Sequence, residues 1–145
     1  MAGLKQKEVE LLIMDDDVFF NNLLAKQLSK INELSQFKNK FKVSIHQYTD
    51  PFECLSKAKS HSNNGQHTIA FVDFYLGHGI NGQHVIKLLT KQSRFIKIVL
   101  MSQSERAIGK PFTSNEEVPD YSRVIKRKYT PEICYLMLLQ FCINH

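Results

Sequence analysis

Four short apolar runs in this chain each end on a residue whose side chain is charged or carries a hydroxyl. In chain order, the residues at these ends are Asp15 with Asp16, Asp73, Ser102 and Lys126. An open α/β sheet binds its ligand in the crevice outside the carboxyl ends of its parallel strands. If the four runs are parallel strands, they deliver carboxylates, a hydroxyl and an ammonium group to one edge of a sheet. The sequence therefore predicts a functional site at that edge.

The hydrophobic period alternates along the chain between short strand-like runs and 3.6-residue helical patterns. This alternation predicts five βα units around a parallel sheet, an α/β fold. The predicted strands are 9–15, 41–48, 68–73, 96–101 and 121–126. The predicted helices are 18–34 after an Asp17 N-cap, one that starts at Thr49-Asp50-Pro51, 82–92, and one from Thr130. The second run alternates apolar and polar residues as a half-exposed edge strand does.

Length and composition predict one globular domain over residues 1–145. The chain has 43% hydrophobic and 23% charged residues, which is ordinary for a folded domain. No apolar stretch reaches the ~18 residues that a membrane span requires, and no secretory signal is evident at the start, so we expect a cytoplasmic protein. Cys54, Cys134 and Cys142 are an odd set without a close pair, which favours a reducing compartment and buried thiols.

The net charge of +5 raises the question of nucleic-acid binding. The lysines and arginines are spread along the chain, mostly on predicted helix exteriors and loop ends, where such side chains are normally solvated. We therefore expect no nucleic-acid partner. The positive charge is better suited to attracting an acidic protein partner.

The ordered set of strand ends resembles the receiver domain of bacterial two-component response regulators, over about residues 9–143. The matching positions are the acidic pair after the first strand, the aspartate that ends the third, the hydroxyl that ends the fourth and the lysine that ends the fifth: Asp15, Asp16, Asp73, Ser102 and Lys126. The stretch 71–76, followed by Asn81-Gly82, is similar to the family's phosphoacceptor loop and the start of its third helix.

This resemblance implies a flavodoxin-like, doubly wound sheet with strand order 2-1-3-4-5. It also implies a Mg²⁺ ion held by carboxylates and by the main-chain carbonyl two residues after the acceptor; the four positions are Asp15, Asp16, Asp73 and Tyr75. The Asp73 carboxylate would attack a phosphoryl group, with Lys126 as a second positive charge and Ser102 as a hydrogen-bond donor to the phosphoryl oxygens.

The resemblance further implies partners: a histidine kinase or phosphotransfer protein as phosphodonor, and a downstream protein target. We expect a stand-alone receiver, similar to chemotaxis regulators, that performs phosphotransfer only on its own aspartate and is not otherwise an enzyme. Two other interpretations stay open. One is a pseudo-receiver that serves as an interaction module without phosphorylation. The other is a Mg²⁺-dependent phosphatase with an aspartyl nucleophile, but such enzymes usually carry a second acid where Tyr75 stands.

Two departures from the family pattern affect the site. Arg127 replaces the proline that usually follows the lysine, and the triplet from Lys126 to Lys128 leaves the identity of the active cation open; we choose Lys126 because it ends the apolar strand. The loop after Asp73 is one residue longer than usual. It carries His78, which could reach a phosphodonor but is more typical of an exposed loop residue.

The stretch between Ser102 and Tyr121 should hold the fourth helix of a receiver. Gly109-Lys110-Pro111 and Val118-Pro119 interrupt it, and a proline inside a helix costs ~3 kcal/mol. We therefore expect an irregular fourth helix, and a response to phosphorylation carried by ordering of residues 103–120 instead of the family's usual dimer.

Overall fold

The computed structural model of the chain describes residues 6–37, 40–61, 67–92, 96–104 and 121–144. Almost all of the stretch 103–120, with its expected irregular helix and ordering response, lies outside these ranges. Among the described residues, no helix combines the length and the apolar character needed to cross a bilayer.

Five parallel strands form the main sheet. They are β1 (Lys7–Met14), β2 (Phe41–Tyr48), β3 (His67–Asp73), β6 (Ile96–Ser102) and β7 (Ser122–Ile125). Their order is β2-β1-β3-β6-β7, which confirms the predicted 2-1-3-4-5 order when the five strands of this sheet are counted. Two short strands, β4 (Tyr75–Gly77) and β5 (Ile80–Asn81), form an antiparallel hairpin after β3 that the sequence analysis did not predict.

Four α-helices are described: α1 (Val18–Ser29), α2 (Pro51–Ser60), α3 (Gly82–Gln92) and α4 (Thr130–Asn144). The predicted starts of the first two are confirmed. The Asp17 carboxylate accepts the N–H of Phe20 at 3.1 Å. Asp50 accepts the N–H of Phe52 at 2.8 Å, and Pro51 lies in the first turn, where no amide donor is needed.

The first helix was predicted to continue to Leu34, and this was wrong. The α-helix ends at Ser29 and a 3₁₀ turn follows over Lys30–Glu33. Within that turn the Asn32 side chain donates to the carbonyl of Val43 at 2.9 Å and accepts its N–H at 3.1 Å. Asn32 thus satisfies backbone groups on the outer edge of β2, which is the edge strand of the described sheet.

The core lies in two layers, one on each face of the sheet, because successive residues of a strand point to opposite faces. On β1, Leu11 and Ile13 pack with α1 and α4, whereas Leu12 and Met14 pack with residues of α2 and α3. The three cysteines are fully buried, and burial raises the pKa of the Cys54 and Cys134 thiols to about 12. The three cysteines therefore act as small core hydrophobes. The candidate site lies at the carboxyl edge of the strands.

Candidate functional site

The register of the sheet aligns the predicted strand ends. Met14 at the end of β1 pairs with Val72, so Asp15 follows beside Asp73 at the end of β3. Asp73 in turn pairs with Met101, one residue before the end of β6. Beyond β7, the Lys126 N–H donates to the Ser102 carbonyl at 2.8 Å. All five side chains predicted from the sequence therefore start from one edge.

Three carboxylates meet at this edge. Asp15, Asp16 and Asp73 each place one oxygen within 4.8 Å of the others. The Asp15 and Asp73 side chains are buried, whereas Asp16 is exposed to solvent. Two of the three acids therefore lie where water cannot fully solvate their charge.

Lys126 is the cation that the structure places among these carboxylates. Its Nζ lies 2.7 Å from Asp15 Oδ2 and 3.4 Å from Asp73 Oδ1, and only 7% of its side chain is exposed. The ammonium also lies 4.4 Å from the centre of the Phe20 ring, a cation–π contact. Arg127 and Lys128 are both exposed.

The cluster contains three carboxyl groups, and Lys126 contributes one ammonium group, so the charges do not balance. Burial, followed by the neighbouring Asp15 charge, raises the pKa of Asp73 to about 7, although Lys126 opposes this shift. Burial also raises the pKa of Asp15, against the hydrogen bond and charge of Lys126. Burial by itself would lower the pKa of Lys126, but its hydrogen bond to Asp15 and the charges of both acids raise it. One ammonium thus pairs with the two buried carboxyl groups, Asp15 and Asp73.

This donor set fits Mg²⁺. The ion is hard, prefers oxygen ligands and commonly binds through one or two carboxylates together with water. The three clustered carboxylates supply such oxygens, and a cation would relieve the repulsion from Asp15 that adds to burial in raising the Asp73 pKa. The residues present therefore suit the metal that the sequence predicts.

The remaining two predicted residues lie at the same edge. Ser102 is buried, and its Oγ accepts the Ser104 N–H at 3.1 Å, so its own hydrogen can be donated in another direction. Tyr75 begins β4 two residues after Asp73, with its side chain 59% exposed. Its ring stands edge-on to Phe74 at 4.7 Å. The predicted contribution of Tyr75 is its main-chain carbonyl, which an outward ring does not hinder.

Asn21 is a residue of the site that the sequence analysis missed. It is fully buried in α1, and its amide donates to the carbonyls of Asp15 at 3.0 Å and Tyr48 at 3.1 Å. Its Oδ1 accepts from Gln47 at 2.9 Å. Asn21 therefore ties the ends of β1 and β2 to α1 and fixes the backbone of Asp15. A polar residue three positions before Leu24 on the apolar face of a helix is the signal that could have found it.

The loop between β4 and β5 closes against the acidic cluster. Gly77, His78 and Gly79 all have positive φ values, of 92°, 53° and 74°. The left-handed conformation is unfavourable for His78, because it is not a glycine. Its ring lies 5.4 Å from that of Phe52, and it is an exposed loop residue. A β-carbon built on Gly77 would lie 3.6 Å from Asp16 Oδ2, so this loop borders the cluster.

Gly82 allows α3 to start directly against Asp73. Its N–H donates to the Phe74 carbonyl at 2.7 Å. A β-carbon built on Gly82 would lie 2.5 Å from the Asp73 carbonyl oxygen and 3.0 Å from Leu100 Cδ1. A backbone carbonyl cannot turn away as a flexible side chain can, so no larger residue fits without a shift of α3 or Asp73.

We expect Gly82→Ala to lower the free energy of unfolding by about 1–3 kcal/mol, as overpacking usually does, and to displace the Asp73 carboxylate. Urea unfolding and NMR shifts of the Asp73 amide measure the two effects. Gly79→Ala is the control: a β-carbon there meets no atom within 4 Å, although φ is +74°. The control should lose stability through backbone strain and leave the Asp73 amide unmoved. Wild-type stability in Gly82→Ala would contradict the close approach.

The comparisons with known proteins rest on structure. No protein-family model matches the sequence, and no curated protein sequence matches it significantly. A CheY-like response regulator receiver domain protein from Methanospirillum hungatei is 18% identical, with a TM-score of 0.59 over 94% of this chain and 98% of its own. The signal receiver domain of the putative response regulator NarL from Mycobacterium tuberculosis is 16% identical, with a TM-score of 0.60 over 96% of this chain and 99% of its own.

A third similar structure is the BeF₃-activated receiver domain of DrrB. It is 11% identical, with a TM-score of 0.61 over 97% of this chain and all of its own. At such identities the likeness establishes the fold and not the activity. The chain therefore has the fold of response-regulator receiver domains over nearly its whole length.

Proposed function

We propose that this protein is a receiver that accepts a phosphoryl group on Asp73 from a phosphodonor protein. The observation that carries the proposal is the cluster of Asp15, Asp16 and Asp73 at the carboxyl edge of the sheet, with the Lys126 ammonium paired to Asp15 and Asp73. The fold shared with receiver domains supports it, as does the existence of one such domain in a BeF₃-activated form.

In the proposed reaction, a carboxylate oxygen of Asp73 forms a bond to phosphorus. The bond between phosphorus and the donor atom breaks, and its electron pair leaves with the donor. Lys126, already 3.4 Å from Asp73 Oδ1, places positive charge next to the transferring oxygens. The Ser102 hydroxyl donates to one of them. Asp15, Asp16, Asp73 and the Tyr75 carbonyl would hold Mg²⁺, which would neutralise negative charge on the phosphoryl group.

A rim of exposed apolar side chains beside the site suits a protein phosphodonor. Val18 and Phe19 begin α1 directly after the acidic triplet and are 56% and 77% exposed. Phe52, in the first turn of α2, and Tyr75 are each 59% exposed. Exposed apolar patches commonly mark interaction sites. We therefore assign this rim to docking of a histidine kinase or phosphotransfer protein, and the output to a downstream protein target.

Intact-mass spectrometry after incubation with acetyl phosphate tests the proposal. With Mg²⁺ present, the protein should gain the mass of one phosphoryl group, and an excess of chelator should prevent the gain. A folded protein that gains no mass under any of these conditions would contradict the proposal and favour the pseudo-receiver. Labelling that is indifferent to chelator would contradict the role of the metal.

Mg²⁺ affinity is expected to depend on pH. The metal must displace the proton from Asp73, whose pKa is raised to about 7 by burial and the Asp15 charge. Below that pKa the proton competes, so affinity should fall by up to about tenfold per pH unit and level off above it. The chain has no tryptophan, so NMR titration or calorimetry between about pH 5.5 and 8.5 is suitable. An affinity that is constant across this range would contradict a protonated Asp73.

A further inference from the structure

Thr130, the first residue of α4, makes two hydrogen bonds that bracket Lys126. The Arg127 N–H donates to Thr130 Oγ1 at 2.6 Å, and the same hydroxyl donates to the Ile125 carbonyl at 2.8 Å. One side chain therefore holds the residue before Lys126 and the residue after it. A hydroxyl can do this because it is donor and acceptor at once.

Both side-chain hydrogen bonds of Thr130 join it to residues that precede it in the chain, at the end of β7 and just after that strand. A side chain that caps a helix accepts N–H groups from the helix's own first turn, whereas the Thr130 hydroxyl binds residues 125 and 127. The main chain closes the same loop, because the Thr130 N–H donates to the Arg127 carbonyl at 3.1 Å. Thr130 is fully buried, so water cannot replace these partners. The contacts thus define the loop that carries Lys126.

This arrangement requires the backbone N–H of Arg127, which donates to Thr130 Oγ1. A proline at this position would have no N–H to donate, and the peptide bonds of the described residues are all trans. On the other side, the Lys126 N–H is held by the Ser102 carbonyl at 2.8 Å. Hydrogen bonds at residues 125, 126 and 127 thus fix the backbone around Lys126. The Lys126 ammonium lies 2.7 Å from Asp15 Oδ2.

We propose that Thr130 is a positioning residue that directs the Lys126 ammonium into the carboxylate cluster. This inference rests on the proposed function, since the expected effect of losing the Thr130 hydroxyl is a slower phosphorylation of Asp73. The described hydrogen bonds of Thr130 go to Ile125 and Arg127 and not to the carboxylates. Thr130 acts through the two peptide units that flank Lys126.

The test compares Thr130→Val, which keeps the shape of the side chain and removes the hydroxyl, with Thr130→Ser, which keeps the hydroxyl. The rate of labelling by acetyl phosphate with Mg²⁺ should fall by about 10- to 100-fold in the valine variant, the scale expected for a small misplacement. The serine variant should stay close to wild type. Thr90→Val is the matched control, because the Thr90 hydroxyl binds carbonyls of its own helix, at 2.9 and 3.0 Å.

Repeating the comparison in a Lys126→Ala background distinguishes positioning of Lys126 from a purely structural role of Thr130. There Thr130→Val should cause no further loss of rate, because the group that it positions is gone. An equal loss in both backgrounds, or a wild-type rate in Thr130→Val, would overturn the inference. If the valine variant does not fold, Thr130→Cys replaces it, with a smaller loss expected because a thiol hydrogen-bonds weakly.

Failure of the proposed function would be recognised separately, because the wild type would then take up no label. The inference is still tested in the metal-free protein by urea unfolding. Thr130→Val should lower the unfolding midpoint less in the Lys126→Ala background than in the wild type, since the ion pair of Lys126 with Asp15, which Thr130 positions, is already absent there. Additive shifts would overturn it.

Discussion

Asp73→Asn is expected to take up no phosphoryl group from acetyl phosphate under conditions that label the wild type fully. The amide has nearly the same shape as the carboxylate but is a poor nucleophile and carries no charge for a metal. The loss should not come from unfolding. Because burial raises the folded pKa of Asp73 from 3.8 to about 7, the wild type loses stability as the pH rises from the first value to the second, and the loss is complete above pH 7. Without metal above pH 7, the asparagine variant should therefore be more stable than the wild type.

Asp50→Asn is the matched control for this substitution. Asp50 caps α2 through its side-chain oxygen, and asparagine is an equally good N-cap. The control should therefore fold and accept the phosphoryl group like the wild type. Labelling of Asp73→Asn at the wild-type level would show that another residue is the acceptor.

Lys126→Ala is expected to slow phosphorylation by about a hundredfold or more, the usual scale when a preorganised group that stabilises developing charge is removed. Its Nζ lies 2.7 Å from Asp15 and 3.4 Å from Asp73, so its charge is next to the reacting carboxylate. Labelling rates at saturating Mg²⁺ measure the effect. Thermal unfolding of the same samples shows whether the variant stays folded once Asp15 has lost its ion-pair partner.

The neighbouring cations provide the control for Lys126. Arg127 and Lys128 are exposed to solvent, and exposed charges contribute little because water and salt screen them. Alanine at either position should change the rate only slightly. A larger loss at Arg127 than at Lys126 would contradict the arrangement and would favour an alignment shifted by one residue.

The positions of the strand ends could be predicted from the sequence because local pattern determines them. Asp15 and Asp73 each follow a buried apolar run, and parallel strands present their carboxyl ends at the same edge. The ordered strand ends also carry the resemblance to receiver domains, and that resemblance implied the order of the sheet. Asp17 and Asp50 marked the helix starts. The strand ends and helix starts depend on neighbours in the chain.

The supports of the site could not be predicted in this way, because their partners are distant in sequence. Asn21 binds the Tyr48 carbonyl 27 residues away, and the Phe20 ring meets Lys126 only once the sheet has formed. The close approach of Gly82 to the Asp73 carbonyl likewise appears only when α3 packs. The hairpin of β4 and β5 was missed because its strands have only three and two residues, too short for a periodic pattern.

The most direct test of the account is to identify the phosphorylated residue. A phosphoryl group on a carboxylate is an acyl phosphate, which borohydride reduces to an alcohol, so a labelled aspartate becomes homoserine. Peptide mass spectrometry after this treatment should find homoserine at position 73 of the Mg²⁺-treated, acetyl phosphate-labelled protein, and aspartate there when chelator is present. Homoserine at Asp15 or Asp16, or a label that borohydride does not convert, would contradict the assignment of Asp73 as the phosphoacceptor.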